Sequence, residues 1–301
     1  MNNEDASMTT LQNRIDFAVI FRVANANPNG DPLNGNRPRT DYSNYGEMSD
    51  VSIKRKIRDR LLERWINDGK NDDGNMIFVQ SDDRKVDDAK SLRARAEAGL
   101  GKELGSDKTA DLACKKWLDV RAFGQLFALK SNKKAGKKND DGSEAEGDTG
   151  VSIGIRGPVT VQSAFSIEPI DVTSLQITKS VSGEGDGAKR SSDTMGMKHR
   201  VDHGVYVFKG SMNPQLAERT GFSDNDASAI KAVLPRLFEN DEAAARPAGS
   251  MEVLKVIWWE HNSKAGQHSS AKVHRTLTVN ADGSYTLNNL DKLSPEEIDG
   301  F

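Results

Sequence analysis

The chain opens with a hydrophobic pattern that changes period, which predicts a strand followed by a helix. Over Arg14–Ala24, apolar side chains occupy both faces of a period-two pattern, as is typical of a central strand covered on both sides. Over Val51–Ile66, apolar residues recur every three to four positions, which predicts a helix with one buried side. Ser49 and Asp50 stand where an N-cap is needed, so we expect the helix to begin there.

The predicted helix carries cations on two sides. Lys54 and Arg58 fall inside its apolar sector, whereas Lys56 and Arg60 fall on the opposite side, within reach of acidic neighbours. A buried, unpaired charge costs on the order of several kcal/mol, so a polyanion beside the helix would explain Lys54 and Arg58. The alternative is that their long aliphatic stems carry the charges past the edge of the core into water.

A long segment rich in asparagine, glycine and proline, Ala24–Asp41, leads from the strand towards the helix. Its turn-forming pairs and prolines predict a structured loop whose N–H groups could meet phosphate; an ordinary surface loop is the alternative. Asp31 in this loop could act on a ribose 2′-OH, but its Asn-Gly-Asp-Pro context is more typical of a turn.

The remaining core segments alternate between strand and helix patterns. A helix is expected at Ser223–Phe238, and strands are expected at Val151–Ile170, His203–Asn213, Met251–Trp259 and Ala271–Val279. This order predicts an α+β fold with a split β-α-β core of ferredoxin-like type. RNA-recognition domains use that topology and commonly bind RNA on the open sheet, but their aromatic signature for base stacking is absent from this sequence.

Three segments fall outside this core. Residues 67–116 form a predicted insertion with a short strand at Met76–Val79 and a helix at Lys90–Leu100. Residues 131–150 hold lysines first and acids second without large apolar side chains, which is typical of a solvated, disordered loop. Residues 171–202 enclose a Gly/Ser-rich tip between two β-prone flanks, which predicts a protruding hairpin; a mobile surface loop is the alternative.

Composition and motifs narrow the function classes. The net charge of -3 over 301 residues argues mildly against a free-standing nucleic-acid binder, which is usually basic. Cys114 is the single cysteine, so we expect no internal disulfide and a cytoplasmic location. No apolar run approaches the roughly 20 residues that span a bilayer. Phosphate-loop and nucleophile-elbow motifs are absent, and His199 and His203 lack the surroundings of a zinc site, so neither cofactor nor metal is expected.

Four stretches together resemble the backbone subunit of type I CRISPR RNA-guided surveillance complexes (Cascade), most like the subtype I-C version. The stretches are Phe17–Asn36 followed by the Val51–Leu62 helix, Asp119–Gly124, Gly157–Ile170 and Lys198–Phe208. The resemblance implies a hand-shaped α+β fold. It has a modified RNA-recognition (ferredoxin-like) palm over residues 14–301, a helical fingers insertion at 67–116 and a β-hairpin thumb at 171–202.

The same resemblance implies a non-catalytic function. Family members polymerise along CRISPR RNA as a helical filament, and the thumb of a neighbouring copy flips one base at regular intervals. The remaining bases stay exposed for pairing with target DNA, so base pairing supplies the specificity. The implied partners are CRISPR RNA, target DNA, further copies of the chain, and the large, small and repeat-cleaving subunits of an antiviral ribonucleoprotein. No membrane partner is expected.

RNA contacts are expected from the loop before the first helix, from the helix itself and from the thumb, where Met195 or Met197 is the candidate wedge. The expected RNA-binding residues are Asn27, Asn29, Arg37, Arg39, Lys54, Arg55, Arg58, Arg156, Lys179, Met195, Met197, Lys198 and Arg200. Two other functions remain open. One is a type III-like backbone ribonuclease that cuts target RNA through Asp31, and the other is a generic RNA-binding scaffold.

Overall fold

The structure, a computed structural model, describes residues 9–71, 74–129, 151–178 and 195–301. The predicted disordered loop at 131–150, Lys179 and the tip of the predicted hairpin lie outside the described residues. The chain forms two units. Unit 1 comprises Met1–Gln12, Leu61–Thr160 and Met212–Ala227, and unit 2 comprises Asn13–Arg60, Val161–Ser211 and Ser228–Phe301.

The described residues contain strands and helices in the following order. The strands are β1 (Ile15–Ala26), β2 (Gly30–Asp31), β3 (Arg37–Pro38), β4 (Tyr45–Met48), β5 (Gly124–Leu129), β6 (Val151–Arg156), β7 (Val159–Val161), β8 (Ala164–Pro169), β9 (Val172–Thr178), β10 (Met195–Met212), β11 (Met251–Glu260), β12 (Leu277–Val279), β13 (Tyr285–Leu287) and β14 (Glu296–Asp299). The helices are α1 (Asp50–Asn67), α2 (Leu92–Leu100), α3 (Thr109–Lys116), α4 (Leu118–Phe123), α5 (Pro214–Thr220), α6 (Asp224–Val233) and α7 (Ser270–His274). Within the described ranges, no helix is both long enough and apolar enough to cross a lipid bilayer.

A large antiparallel sheet is the main element of unit 2. Its strands lie in the order β14-β11-β1-β10-β8-β4, and β9 pairs with the first part of β10. When the four inner strands are numbered by their order in the chain, their order across the sheet, from β11 through β1 and β10 to β8, is 4-1-3-2. The prediction of a covered central strand is confirmed, because every side chain of β1 from Ile15 to Phe21 is buried.

The two faces of this sheet carry different side chains. One face is aromatic: the ring of Phe21 stacks on that of Tyr206 with centroids 5.3 Å apart and lies 5.0 Å from that of Phe238. The opposite face buries Ile20 beneath the C-terminal segment 270–293. The core of unit 2 therefore lies on both sides of the sheet.

The two flanks of the predicted hairpin pair with each other. β9 lies antiparallel to the first third of β10, from Thr178 opposite Met195 to Val172 opposite Val201. β10 then continues into the sheet, where it pairs with β8 near Tyr206. The arm, defined here as β9 with Met195–Val201, is therefore built on a strand that also belongs to the core.

Local capping and a proline change two predicted elements. The predicted strand Ala271–Val279 is wrong, because Ser269 accepts a hydrogen bond from Lys272 N and so begins α7. Only β12 remains a strand there. The predicted helix Ser223–Phe238 ends with α6, because Pro235 belongs to a 3-10 turn that follows it.

Three short elements depart from the hydrophobic pattern. The helix α5, capped by the side chain of Asn213, was not predicted, because its seven residues hold too few apolar positions to show a period. The acidic tail forms β14 by pairing with the edge strand β11. The predicted strand Met76–Val79 is wrong, since only one bridge forms there, between Met76 and Trp117.

Unit 1 contains the predicted insertion 67–116, which holds α2 and α3. Its core includes Phe78 and Trp117, whose ring centroids lie 4.6 Å apart. Gly157 approaches a neighbouring backbone so closely that an added Cβ would lie 2.2 Å from Ala122 O. This close approach leaves no room for a side chain at position 157.

Two charged residues of the stretch Asp119–Gly124 hold unit 1 together. Asp119 is buried and accepts a hydrogen bond from Phe78 N at 2.6 Å. Arg121 is also buried, and its Nη2 and Nε donate to the carboxylate of Asp226 at 2.6 and 2.8 Å. This stretch, which carries part of the family resemblance, therefore has a structural role in the fold.

Candidate nucleic-acid interface

The loop between β1 and α1 is held in place by its own asparagines. Asn29 Oδ1 accepts hydrogen bonds from the N–H and hydroxyl groups of Ser49, each at 2.9 Å, which fixes the loop to the start of α1. Asn27 is buried; its Nδ2 donates to Asn36 O at 2.7 Å and its main-chain N–H donates to Ala245 O at 2.8 Å. These two bonds hold Asn27 in the loop and tie it to residue 245.

Asp31 occupies a turn in the same loop. Its Oδ1 accepts a hydrogen bond from Leu33 N at 3.2 Å and so caps the 3-10 turn Pro32–Asn34. The same oxygen lies 3.4 Å from Arg39 Nη2. The carboxylate thus acts as a cap and an ion-pair partner, which is what its turn-forming sequence context predicts.

Arg37 joins the loop to the arm. Its Nη2 donates to Ser174 Oγ at 2.8 Å, and its Nε lies 3.5 Å from His199 Nδ1. Ser174 Oγ and His199 Nδ1 are themselves 2.8 Å apart. Because a guanidinium has donors only, His199 Nδ1 is the acceptor in this group. One predicted RNA-binding loop and one predicted RNA-binding arm therefore meet at a polar cluster.

The arm presents two different faces. Side chains alternate along a strand, so Met195, Met197 and His199 point to one face while Lys198 and Arg200 point to the other. The methionine face also carries Ser174, because Ser174 pairs directly with His199. The two methionine side chains are 57% and 56% exposed. The candidate wedges and the two arm cations therefore lie on opposite faces of the arm.

The cation face of the arm has its own apolar component. Leu175 and Ile177 lie on it as neighbours of Lys198 and are 43% and 49% exposed. Arg200 Nε lies 3.3 Å from Asp202 Oδ1. Among the described residues, no carboxylate forms an ion pair with Lys198.

The predicted RNA-binding cations of α1 differ in their partners. Lys54 Nζ lies 3.0 Å from Asp50 Oδ2, one helical turn earlier. Arg55 is more exposed, and its Nη2 lies 3.1 Å from Asp241 Oδ1. Arg58 is half-buried. Lys54 and Arg58 therefore sit at the edge of the core, with part of each side chain accessible.

Lys56 and Arg60, which lie opposite the apolar sector of α1, are buried as well. Their exposed fractions are 2% and 5%, because α1 is covered on two sides. The ring of Phe238 lies 5.5 Å from Lys56 Nζ on the second side. The hydrophobic pattern of the sequence marks only the apolar side of a helix. It gives no sign that the opposite side is also covered when the residues buried there are charged.

One carboxylate, Asp241, compensates the buried Lys56. Asp241 contacts Lys56 Nζ directly and lies 2.8 Å from Arg246 Nε as well as close to Arg55. Burial lowers the pKa of Lys56 to about 8, against the attraction of Asp241. Burial also acts to raise the pKa of Asp241, but the attraction of Lys56, Arg246 and Arg55 outweighs it and the pKa lies below its ordinary value.

The structure groups most predicted site residues in unit 2. Arg37, His199 and the methionine face are joined through hydrogen bonds and strand pairing, and Lys54 follows the same loop on α1. Arg156 is exposed at the end of β6 in unit 1, where its backbone pairs with Gly124.

Sequence reasoning missed Ser174 and His199 as members of the polar cluster. His199 was considered only for its spacing from His203, as a possible metal ligand. The usable signal was the period-two alternation of the arm, which places His199 on the same face as Met195 and Met197.

Comparison with known proteins gives a consistent picture. The family model described as CRISPR-associated protein Cas7 matches residues 13–298. A curated CRISPR-associated protein Cas7 from Haloferax volcanii is 25% identical to the chain over 288 residues, which covers 93% of this chain and 79% of the relative.

Two solved structures are also similar to the chain. One is a chain of a CRISPR RNA-guided surveillance complex in a pre-nicking state, with 19% identity, a TM-score of 0.44 and coverage of 82% of this chain and 75% of that chain. The other is a chain of a CRISPR RNA-guided surveillance complex, with 16% identity, a TM-score of 0.45 and coverage of 90% of this chain and 77% of that chain.

Proposed function

Because this chain belongs to the Cas7 family of CRISPR-associated proteins, we propose that it is a non-catalytic backbone subunit that binds CRISPR RNA. Copies of the chain polymerise along the guide as a helical filament and leave its bases exposed for pairing with target DNA. The assembly is a type I ribonucleoprotein of subtype I-C, with large, small and repeat-cleaving subunits, and it acts in antiviral defence.

The convergence of loop and arm at Arg37 is the observation that carries this proposal. Arg37 is exposed, and its contacts with Ser174 and His199 leave guanidinium N–H groups for an external acceptor. A guanidinium suits phosphate because its donors form a planar fork. Two exposed methionines on the same face of the arm offer adaptable apolar contacts to bases. A phosphate contact and a base contact are thus presented together.

The start of α1 extends this surface. The loop fixed by Asn29 leads into the N-terminus of an 18-residue helix, and helix N-termini favour anions. Lys54 adds a cation one turn into the helix. Its partner Asp50 holds the ammonium group at the surface, where phosphate oxygens can compete for it.

The fold supports the assignment of hand-like parts. The strand order 4-1-3-2 of β11, β1, β10 and β8 fits a ferredoxin-like palm of RNA-recognition type. The helices α2 and α3 fit a fingers insertion, and the paired strands of the arm fit a thumb.

The position of Asp31 supports a non-catalytic function. The carboxylate caps a turn and pairs with Arg39, and both contacts hold it against the loop. A nuclease of the type III kind would need this carboxylate to face the target strand. An RNA cleavage assay with divalent metal compares the wild type with Asp31→Ala. Regularly spaced cuts that are lost in the variant would contradict the proposal.

The co-purified RNA tests the main function. The full chain is expressed with and without a CRISPR array of matching repeat, and the bound RNA is extracted, sized and sequenced. We expect uniform guide-sized RNA carrying a constant repeat segment, only when the array is present. Heterogeneous RNA in both cultures would favour a generic RNA-binding scaffold, and absence of RNA would contradict both.

A further inference from the structure

A groove remains open on the face of the unit 2 sheet that lies opposite the Phe21–Tyr206 stack. The C-terminal segment 270–293 covers this face over β1 and β11. Over β8 and β10 the cover is incomplete and leaves a cavity of about 490 Å³. All its lining residues belong to unit 2. None of the RNA contacts proposed above uses this groove.

Phe165 is an exposed aromatic residue in this groove. It pairs directly with Val207 on β10 and with Glu47 on β4, so the three side chains point to the same face. Phe165 is 44% exposed, although it lies well inside the sheet rather than at a chain end. An apolar ring flanked by an aliphatic and a carboxylate side chain forms a flat platform with a hydrogen-bond acceptor beside it.

Lys209 lies two residues beyond Val207 on the same face of β10. It is half-buried in the groove, and its Nζ donates to His274 O at 3.1 Å. Among the described residues, no carboxylate pairs with Lys209. Burial lowers its pKa because the charged form loses hydration without gaining a counter-ion. An anion placed in the groove would supply the missing charge.

We propose that this groove binds one unpaired nucleotide, with the base stacked on Phe165 and the phosphate at Lys209. The inference rests on the proposed function, which brings RNA to the protein. The hydroxyl of Ser163, which lines the groove, contacts the base. Glu47 is not a lining residue, but as the strand partner of Phe165 it accepts a hydrogen bond from an amino or imino group of the base at the edge of the groove.

The distances in the sheet fit this arrangement. Glu47 and Lys209 are separated by two strand spacings, about 10 Å, and by two residues along the strand, about 7 Å. The carboxylate therefore lies at the far side of the stacked base and does not oppose the phosphate at Lys209. Single-stranded nucleic acids are commonly held by an aromatic platform beside a cation. The groove has both, even though the usual aromatic signature is absent from the sequence.

Photo-crosslinking in the assembled ribonucleoprotein tests the proposal. The guide RNA is labelled with 4-thiouridine, and crosslinked peptides are mapped by mass spectrometry in the wild type, Phe165→Leu and Lys209→Gln. We expect a crosslink on the peptide that contains Phe165, reduced about tenfold in Phe165→Leu, which keeps an apolar side chain but removes the ring. The matched control is Phe301→Leu, which changes an exposed aromatic residue that stacks on Arg236; it leaves the crosslink unchanged.

The outcomes separate this inference from the proposed function. If RNA crosslinks to the arm but not to the Phe165 peptide, the nucleotide groove is overturned and the backbone function stands. If a photoreactive residue at position 165 captures a peptide of another chain, the groove is a protein contact and the inference fails.

A free nucleotide carries the same base and phosphate groups as a nucleotide of the guide RNA, so it could bind in the same groove. AMP and UMP are titrated against the purified full chain, with binding followed by saturation-transfer NMR. Saturable binding that is lost in Phe165→Leu and in Lys209→Gln supports a nucleotide site, even for a preparation that retains no RNA. Absence of binding overturns the nucleotide site and leaves the backbone function standing, because the co-purified RNA tests that function separately.

Discussion

Arg37 Nη2 lies 2.8 Å from Ser174 Oγ, so a residue 11 positions beyond the end of β1 is tied to the first strand of the arm. The arm has no large core of its own, since its outward methionines and cations are at least partly exposed. This contact and the neighbouring His199 therefore help to fix where the arm stands relative to the loop. RNA binding across loop and arm should depend on the link as well as on the charge.

Arg37→Ala should weaken guide RNA binding by about tenfold, because it removes a charge-assisted contact. Ser174→Ala keeps every charge but removes one bond of the link, and it should weaken binding by a smaller factor. Filter binding at fixed salt measures both. Arg22→Ala is the matched control, since Arg22 is exposed on β1 and pairs with Glu252. An equal loss in the control would show that only net charge matters.

The two faces of the arm should respond differently to salt. Lys198→Ala with Arg200→Ala should reduce the slope of log K against log salt by about 1.4, because two phosphate contacts to single-stranded RNA are lost. Met195→Ala with Met197→Ala should weaken binding without a change in slope. If both double variants change the slope equally, the faces do not have separate roles.

Lys54→Ala with Arg58→Ala should weaken RNA retention for all guide sequences alike and flatten its salt dependence, because both cations would contact phosphate rather than bases. Arg64→Ala is the control, as Arg64 is an exposed cation in the last turns of the same helix. Unchanged RNA retention in the double variant would mean that the charged ends of Lys54 and Arg58 are solvated by water and do not contact RNA.

Asp241 should matter more for stability than Lys56. Asp241→Asn leaves Lys56 buried without a carboxylate and should lower the free energy of unfolding by about 3–5 kcal/mol. Lys56→Met leaves Asp241 paired with Arg246 and Arg55, so its cost should be below about 1 kcal/mol. Urea unfolding at neutral pH measures both. A larger loss in Lys56→Met would contradict this account of the pair.

The same pair gives a pH dependence. The pKa of Lys56 is about 8 in the folded chain, against an ordinary value of 10.5. Between these values the unfolded chain binds more protons at this site, so its contribution to the free energy of unfolding rises with pH. Urea unfolding of the wild type and of Lys56→Met between pH 8 and 10.5 should therefore differ in slope, with the steeper rise in the wild type.

Arg121→Lys should open unit 1 locally. Lysine cannot reproduce the two parallel bonds to Asp226, and the variant should lose about 3 kcal/mol. Cys114, the single cysteine, is buried nearby, and burial raises the pKa of its thiol to about 11. Thiol labelling should be slow in the wild type and about 100-fold faster in the variant. Arg93→Lys, at an exposed pair with Glu97, should label at the wild-type rate.

The long periodic segments could be predicted from the sequence. The alternation over Arg14–Ala24 gave the central strand β1, and the period of Val51–Ile66 gave α1 to within one residue at each end. Both segments are long enough for burial to impose a period. The strand proposed at Ala271–Val279 failed because its apolar residues are divided between a capped helix and a short strand.

The site was harder to predict, because contacts between distant residues decide it. Lys56 was expected to pair with acidic neighbours in its own helix, since nothing within α1 shows that Asp241, 185 residues later, pairs with it. The cluster of Arg37, Ser174 and His199 likewise joins positions more than 130 residues apart. The composition of the loop and the arm indicated where cations would be, but not which of them would share a face.

The strand β10 runs for 18 residues without interruption, from Met195 on the arm to Met212. Because this strand is continuous where the arm leaves the sheet, a change in the angle of the arm would require breaking strand pairs in the middle of the core. Its angle is consequently settled when the sheet forms, before any nucleic acid arrives. If copies bind along a guide as proposed, the spacing between neighbouring arms follows from the fold of each copy rather than from RNA binding.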